Sequence, residues 1–296
     1  MTGEAQGELL ELLVPDWSDI ERLQHQLASI PVRFHLLPYD DIWLRDSGPI
    51  FVHTPAGQVA AVRFQFNAWG NKFAMPHDAM LAAAIGKSTG LPLVEYPLVL
   101  EGGSIEPDGE GTCLTTRQCL LNPNRNPTVT QPEIERILSE ALGYQKFLWL
   151  EEGLLNDHTD GHIDTIARFI APGVVLCMHP ADVDDPNKDV LERIRASLES
   201  MTDAKGRTLK VVMIPSPGRV LNEEGEILAA SYVNFYIGNR TVVVPTYGVP
   251  YDQEAIQAIA PYFPGRRTIG CSAKAIVSGG GAFHCITQQQ LLPVAQ

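Results

Sequence analysis

The sequence predicts an α/β protein built by repetition. Three observations lead there. The order polar loop, strand, turn, strand, helix, strand recurs at intervals of roughly 50 to 70 residues, the size range of radial or stacked repeats. Pairs of apolar runs are joined by short Gly-, Pro- or Asn-containing turns, the mark of hairpins. Each interval also carries one unusual polar or reactive residue: Asp46, Glu101, His162, Asn234 and Cys285, spaced by 55, 61, 72 and 51 residues. A circular array would bring such residues to a common axis, as loops converge on one end of a barrel. A doubly wound sheet is the alternative, and it accounts less well for the tightly turned strand pairs.

Leu9 to Val14 is an apolar run that reads as a first strand. Ser18-Asp19-Ile20-Glu21 has the form of a capping box and opens a helix to about Ala28, with Ile20, Leu23 and Leu27 on one face. Val32 to Leu37 is a strand. Ile50 to Val52 and Val59 to Phe66 form a hairpin around Pro55-Ala56-Gly57, and Pro76 to Ile85 is a helix. In the next unit Leu98 to Ile105 carries Glu101-Gly102-Gly103. The turn Asp108-Gly109-Glu110-Gly111 leads to a strand at Thr112 to Thr116. Thr130-Gln131-Pro132-Glu133 is a second capping box, with proline early in the helix, and that helix runs to Leu142. Lys146 to Leu150 is a strand. Ile166 to Ile170 and Val174 to Met178 are strands joined at Pro172-Gly173, followed by a helix at Asn187 to Leu198 and a strand at Lys210 to Ile214. In the last unit, strands at Ala230 to Ile237 and Thr241 to Pro245 flank Gly238-Asn239. A helix follows at Tyr251 to Ile259, then a strand at Ala275 to Val277.

The 296 residues suffice for one large or two ordinary domains, and 45% hydrophobic with 19% charged residues suits a packed core. The net charge of −13 argues against nucleic acid, whose backbone needs a basic surface, and favours a small cation as partner. No segment approaches the ~18 apolar residues of a membrane span, and Met1 to Leu13 lacks a basic region followed by an apolar run. Cys113, Cys119, Cys177, Cys271 and Cys285 form no CxxC pair and no even framework. They read as free thiols of a reducing, cytoplasmic compartment.

The chemistry concentrates in a few places. Ser278-Gly279-Gly280-Gly281-Ala282-Phe283-His284-Cys285 sets a thiol just beyond a permissive turn. It is a candidate nucleophile; a buried core cysteine in a short strand is the other reading. His162-Ile163-Asp164, placed on a strand, would present imidazole and carboxylate on one face, to serve catalysis or a structural hydrogen bond. Asp46 precedes Ser47-Gly48-Pro49 and is either a turn-capping acid or a site acid. Trp43 and Trp69 are core aromatics or walls of a pocket for a cation. Arg45 and Arg168 read as ion-pair partners that order the acids. His158, His162 and Asp164 lack a recognised metal-ligand pattern, so no metal is expected. A surplus of acids beside a thiol and an imidazole suits a cationic electrophile, and a guanidinium matches carboxylates bidentately.

The chain resembles the agmatine deiminase / bacterial-type peptidylarginine deiminase family. The resemblance is carried by Trp43-Leu-Arg-Asp-Ser-Gly-Pro-Ile-Phe51, Glu101-Gly-Gly-Ser-Ile105 with Gly109-Glu-Gly-Thr112, and Gly161-His-Ile-Asp164 with Arg168-Phe169. It continues in Ala230-Ser-Tyr-Val-Asn-Phe-Tyr-Ile237 and Gly279-Gly-Gly-Ala-Phe-His-Cys-Ile-Thr-Gln-Gln289. It implies a five-bladed α/β propeller of ββαβ units with pseudo-five-fold symmetry, one catalytic domain over residues 1–296, and neither metal nor organic cofactor. By motif, Cys285 is the expected nucleophile, His162 the general acid and base, and Asp46 and Asp164 the clamp on the guanidinium. Trp43, Trp69, Glu101, Asp160, Gly280 and Gly281 are the expected substrate contacts. The implied reaction converts agmatine to N-carbamoylputrescine and ammonia, on the way to putrescine. Deimination of peptidyl-arginine or free arginine is the alternative, and a weakly active guanidine-binding propeller a second. A homo-oligomer is compatible with the resemblance. The chain departs from the family pattern at Ala282, where asparagine is common, and at His158, where agmatine-specific members often have glutamate. It also begins late, so the first blade is expected to lack its usual N-terminal segment.

Overall fold

Buried runs of the sequence become the middle strands of four small three-stranded sheets, and a fifth sheet has two strands. The computed structural model describes residues 7–293; the first six residues of the Met1–Leu13 stretch lie outside them. In the first unit β1 (Leu10–Val14) and β2 (Val32–Leu36) run parallel, with helix α1 (Trp17–Gln26) between them. The second unit adds an antiparallel strand. There β3 (Ile50–His53) pairs with β4 (Val59–Gln65), which pairs in parallel with β5 (Leu93–Val99) after helix α2 (Asp78–Thr89). The same order builds the third unit from β6 (Ile105–Pro107), β7 (Thr112–Thr116), α3 (Gln131–Leu142) and β8 (Lys146–Leu150). The fourth consists of β9 (Ala167–Ala171), β10 (Val174–His179), α4 (Lys188–Glu199) and β11 (Lys210–Pro215). The fifth is β12 (Tyr236–Ile237), β13 (Thr241–Thr246), α5 (Asp252–Ile259) and β14 (Arg267–Ser272). Four units are therefore ββαβ and the first is βαβ among the described residues. No single sheet spans the chain, so the doubly wound alternative is set aside.

The helices obey local rules. In α3, Thr130 and Glu133 complete the expected capping box, Pro132 lies in the first turn, Gly143 ends the helix with left-handed backbone, and Ile134 and Leu138 are buried four residues apart. In α1 the cap is two residues earlier than expected: Asp16 accepts from the Ser18 and Asp19 amides, which satisfies the N–H groups of the first turn.

The sequence misses β5 and β14, each the outer parallel strand of its sheet. Neither carries a clear apolar alternation, because neither is covered on both faces. Ala275–Val277 is not a strand; Lys274–Val277 forms a short helix. Within Ala230–Ile237 only Tyr236–Ile237 is strand, while Tyr232, Val233 and Phe235 are fully buried in irregular backbone. Burial explains the apolar run that read as a strand.

One core runs through the third to fifth units and includes Leu148, Ile166, Leu176, Ile194, Val244 and Ile259. A second joins the second and third units through Val62, Leu98, Cys113, Ile134 and Leu138. Between units the contacts are polar as well. Arg168 donates to Glu106 at 2.7 Å, and the Asn239 amide of the last unit donates to Glu8 at the start of the first. The five cysteines are free. Among the described residues no helix is long and apolar enough to cross a membrane.

Candidate active site

Each of the five inter-unit connections, including the segment after β14, sends a residue to one place. Asp46 lies on a short helix, Leu44–Ser47, between β2 and β3. Glu101 and Gly103 lie between β5 and β6, and His162 and Asp164 between β8 and β9. Asn234 comes from the connection between β11 and β12, and Cys285 from the segment after β14. The centre of the cluster is the space beside Gly103. A methyl group added there would sit 2.7 Å from His162 Nδ1, 2.8 Å from Asp46 Oδ1 and 3.1 Å from Asp164 Oδ2. Glycine is needed at Gly103 because three functional groups crowd its α-carbon.

His162 and Asp164 do converge, but not by strand alternation. Ile163–Thr165 forms a single 3₁₀ turn before β9, and the Thr165 hydroxyl caps it by donating to the His162 carbonyl. Cys285 likewise lies in a turn rather than a strand. Asp46 is held by the Trp69 indole N–H at 2.9 Å and the Gly103 amide at 2.9 Å, and its Oδ1 is 3.7 Å from His162 Nδ1. Asp164 accepts from His284 Nδ1 at 2.7 Å and from the Cys285 thiol at 3.4 Å.

The electrostatics follow from burial and crowding. Burial pushes the Cys285 thiol well above its ordinary pKa, Asp164 and Asp46 push it further, and N–H donors from Ala282 and Asn234 oppose them. Burial opposes charge on His162. The acids Asp46 and Glu101, with Cys119, outweigh it and hold the imidazole well above its usual range. Burial raises Asp164 to about 6, although His162, Arg168 and Arg45 favour its ionised form. Burial, Arg168 and Arg45 hold His284 far below the usual imidazole range, so it is neutral and able to donate to Asp164. These influences favour a neutral thiol and a protonated imidazole beside the two acids Asp46 and Asp164.

Cys285 and Asp46 line a cavity of about 280 Å³, and His162 and Asp164 lie fully buried behind them. Trp43 and Trp69 form walls, and the backbone of Gly279 to Gly281 forms another beside Cys285. Gly280 has φ +105°, and an added Cβ on Gly281 would lie 2.6 Å from Trp43 and 3.0 Å from Cys285 Sγ. Trp69 is presented by strained backbone: Ala68, Trp69, Gly70 and Asn71 all have positive φ. Asn67 steadies that turn by accepting from the Gly70 amide at 2.8 Å. Towards the mouth lie Asp41, Phe73, Met75 and His158. Among the described residues, no Lys or Arg lines the cavity.

Two expected substrate contacts lie behind the wall instead. Glu101 is fully buried and accepts from Arg125 Nε at 2.8 Å. Asp160 binds Lys72 at 2.7 Å and also Arg125, so cations already neutralise it. Arg125 further donates to the Thr159 carbonyl at 2.9 Å, joining Glu101 to the cleft wall. Arg168 pairs with Glu106 as expected of an ordering arginine. Arg45 does not pair with an acid: it donates to Gln288 and Gln289 at 2.6 and 2.9 Å and so pins the segment after Cys285. Ligand atoms of Glu101, Cys119 and His162 lie within 4.8 Å of one another, but the Arg125 guanidinium already occupies Glu101 and disfavours a metal ion there. The sequence reading also missed Asn234, His284, Arg125 and Cys119 as parts of the site. Asn234 was visible only as a spacing marker, and His284 only as a neighbour of the thiol.

A thiol, an imidazole and two carboxylates thus meet behind a cleft whose charged lining residues, Asp41 and Asp46, are acids. The chain belongs to the Porphyromonas-type peptidyl-arginine deiminase family, whose model it matches over residues 4–290. It is 45% identical over 289 residues to a Legionella pneumophila protein named "Putative agmatine deiminase", covering 97% of this chain and 82% of that one. Among solved structures, the agmatine deiminase of Enterococcus faecalis superposes with a TM-score of 0.88 at 34% identity, over 96% of this chain and 83% of that one. A C. jejuni agmatine deiminase, a cysteine-to-serine variant with substrate bound, gives 0.89 at 31% identity, over 98% and 84%.

Proposed function

We propose that the chain is an agmatine deiminase that works through a covalent cysteine intermediate. The observation that carries this reading is the meeting of Cys285, His162, Asp46 and Asp164 around one small space at the end of an acid-lined cleft. The names of the relatives point the same way. Asp46 and Asp164 clamp the guanidinium, whose positive charge stabilises the thiolate that the resting site disfavours. The Cys285 proton leaves as the cation enters. The thiolate then forms a bond to the guanidino carbon, and His162 gives its proton to one nitrogen, which departs as ammonia as the C–N bond breaks. The remaining thiouronium cation is attacked by water, which loses a proton to the now neutral His162. As the C–S bond breaks, the remaining hydroxyl proton passes to the sulfur, which restores the neutral Cys285 thiol and leaves N-carbamoylputrescine.

The distal end of the substrate favours agmatine over free arginine. Asp41 at the mouth suits a terminal ammonium, and a carboxylate would meet no Lys or Arg among the described residues that line the cavity. The whole chain acts as one catalytic unit on this reading, since all five connections contribute. A pseudo-five-fold propeller is supported by the repeated ββαβ order and by the Glu8–Asn239 contact between first and last units. Five free cysteines fit a cytoplasmic setting.

The test is ammonia and N-carbamoylputrescine release from agmatine, with Cys285→Ala as the control. Turnover by the parent chain and none by the variant is expected. A faster kcat/KM on peptidyl-arginine or arginine than on agmatine would reassign the substrate, and full activity in Cys285→Ala would remove the mechanism.

A further inference from the structure

Asn234 is almost fully buried, sits in irregular backbone, and spends its side-chain amide on the nucleophile's turn and on the Asp164 carbonyl. Its Oδ1 accepts from the backbone amides of Ala282 at 3.1 Å, His284 at 3.1 Å and Cys285 at 3.3 Å. Its Nδ2 donates to the Asp164 carbonyl at 3.3 Å and to Cys285 Sγ at 3.1 Å. Its own carbonyl accepts the His284 amide at 3.2 Å as well. An asparagine amide offers two donors and one oxygen with two lone pairs; three N–H groups converge on that oxygen, that of His284 being shared with the Asn234 carbonyl, so no capacity is left over. A residue needed only for packing would not require this. The turn is thereby closed from the neighbouring unit, and Ala282, which has no amide of its own, leaves its backbone N–H satisfied.

From this geometry we infer that Asn234 is a catalytic residue: its Nδ2–H stabilises the Cys285 thiolate while its Oδ1 fixes the turn that aims the sulfur. The inference rests on Cys285 being the nucleophile. The two halves of the amide have separable effects. The Oδ1 contacts are the same whether the sulfur is a thiol or a thiolate. The Nδ2 contact is stronger to the anion, because a hydrogen bond to a charged acceptor exceeds one to a neutral acceptor. Removing the donor should therefore raise the energy of the thiolate more than that of the folded resting enzyme. Asp164 and Asp46 are the negative groups facing the sulfur, and Asn234 is the neutral donor set against them.

The test uses the full chain with Asn234→Ala, which removes both halves, and the near-isosteric Asn234→Asp, which keeps the acceptor. Three quantities are measured: the pH dependence of Cys285 alkylation by iodoacetamide, kcat and KM for agmatine, and melting temperature. The expected result is an alkylation inflection moved up by about one to two pH units and kcat lower by roughly 10- to 100-fold. KM should stay within about threefold of the parent, because Asn234 bonds the Asp164 main-chain carbonyl and neither carboxylate of the guanidinium clamp. A folded variant of either kind that keeps the parental inflection, with kcat within threefold, would overturn the assignment. If Asn234→Ala does not fold, Asn234→Asp alone decides by the same criteria. Alkylation needs no turnover of agmatine, so a wrong substrate would leave this readout intact. Failure of the nucleophile reading would show separately as activity in Cys285→Ala.

Discussion

Replacing Gly103 with alanine would put a methyl carbon 2.7 Å from His162 Nδ1, 2.8 Å from Asp46 Oδ1 and 3.1 Å from Asp164 Oδ2. Non-bonded carbon contacts are most favourable at about 3.5 Å or more, so these three groups would have to retreat by roughly 0.4 to 0.8 Å. None has room to do so freely. His162 and Asp164 are wholly buried, and Asp46 is tied by both the Trp69 indole and the Gly103 amide. Overpacking of this kind costs about 1–3 kcal/mol, or a few degrees of melting temperature in a chain of this size. The effect on catalysis should be larger, since a displacement approaching 1 Å in a reacting constellation costs about 100-fold. Steady-state kinetics on agmatine should show kcat/KM down by about that factor. Iodoacetamide labelling of Cys285 should change little, as Gly103 does not contact the sulfur. A folded Gly103→Ala chain with kcat/KM within threefold of the parent would refute the claim that the reaction occupies this space.

Asp164 should impose an acid limb on activity. With its carboxyl raised to about 6 by burial, it is protonated below that pH and unable to pair with a guanidinium, so kcat/KM should climb as pH rises through about 6. Asp164→Asn should lower activity and erase the limb; a limb that persists in the variant belongs to another group. The same shift has a stability consequence of opposite sense. A folded pKa above the unfolded one means this group favours folding most at low pH, and its contribution falls between about 4 and about 6. Arg125→Met should be severely destabilising, because it strands the buried Glu101 carboxylate and releases Asp160 and the Thr159 carbonyl. A loss of about 3–5 kcal/mol is expected, read by calorimetry or urea unfolding, and a change below about 1 kcal/mol would mean that Glu101 is not held as an ion.

Legibility from sequence followed how local each cause was. The centres of β4, β10 and β13 announced themselves because a strand buried between two partners is apolar along most of its length, and the β-branched threonines of β7 suit the same place. Helix α3 carried its own start and stop in Thr130, Glu133 and Gly143. Cys285, His162, Asp46 and Asp164 were legible as candidates because ionisable groups beside glycine-rich turns and apolar runs are costly without a use. The outer strands β5 and β14 were not, since a half-covered strand needs no apolar pattern.

What only the tertiary structure decided was which groups meet. The sequence by itself determined a repeated α/β chain with one reactive or polar residue at each inter-unit loop, because strand, turn and cap chemistry are short-range. It left Glu101 and Asp160 as substrate contacts, and folding instead gave both to Arg125. It read His162 and Asp164 as neighbours on a strand, and a 3₁₀ turn brings them together instead. It treated Asn234 as a spacing marker, although 51 residues later lies the turn that its amide holds shut. Hydrogen bonds across such separations leave no local pattern, because partners chosen by packing can sit anywhere along the chain.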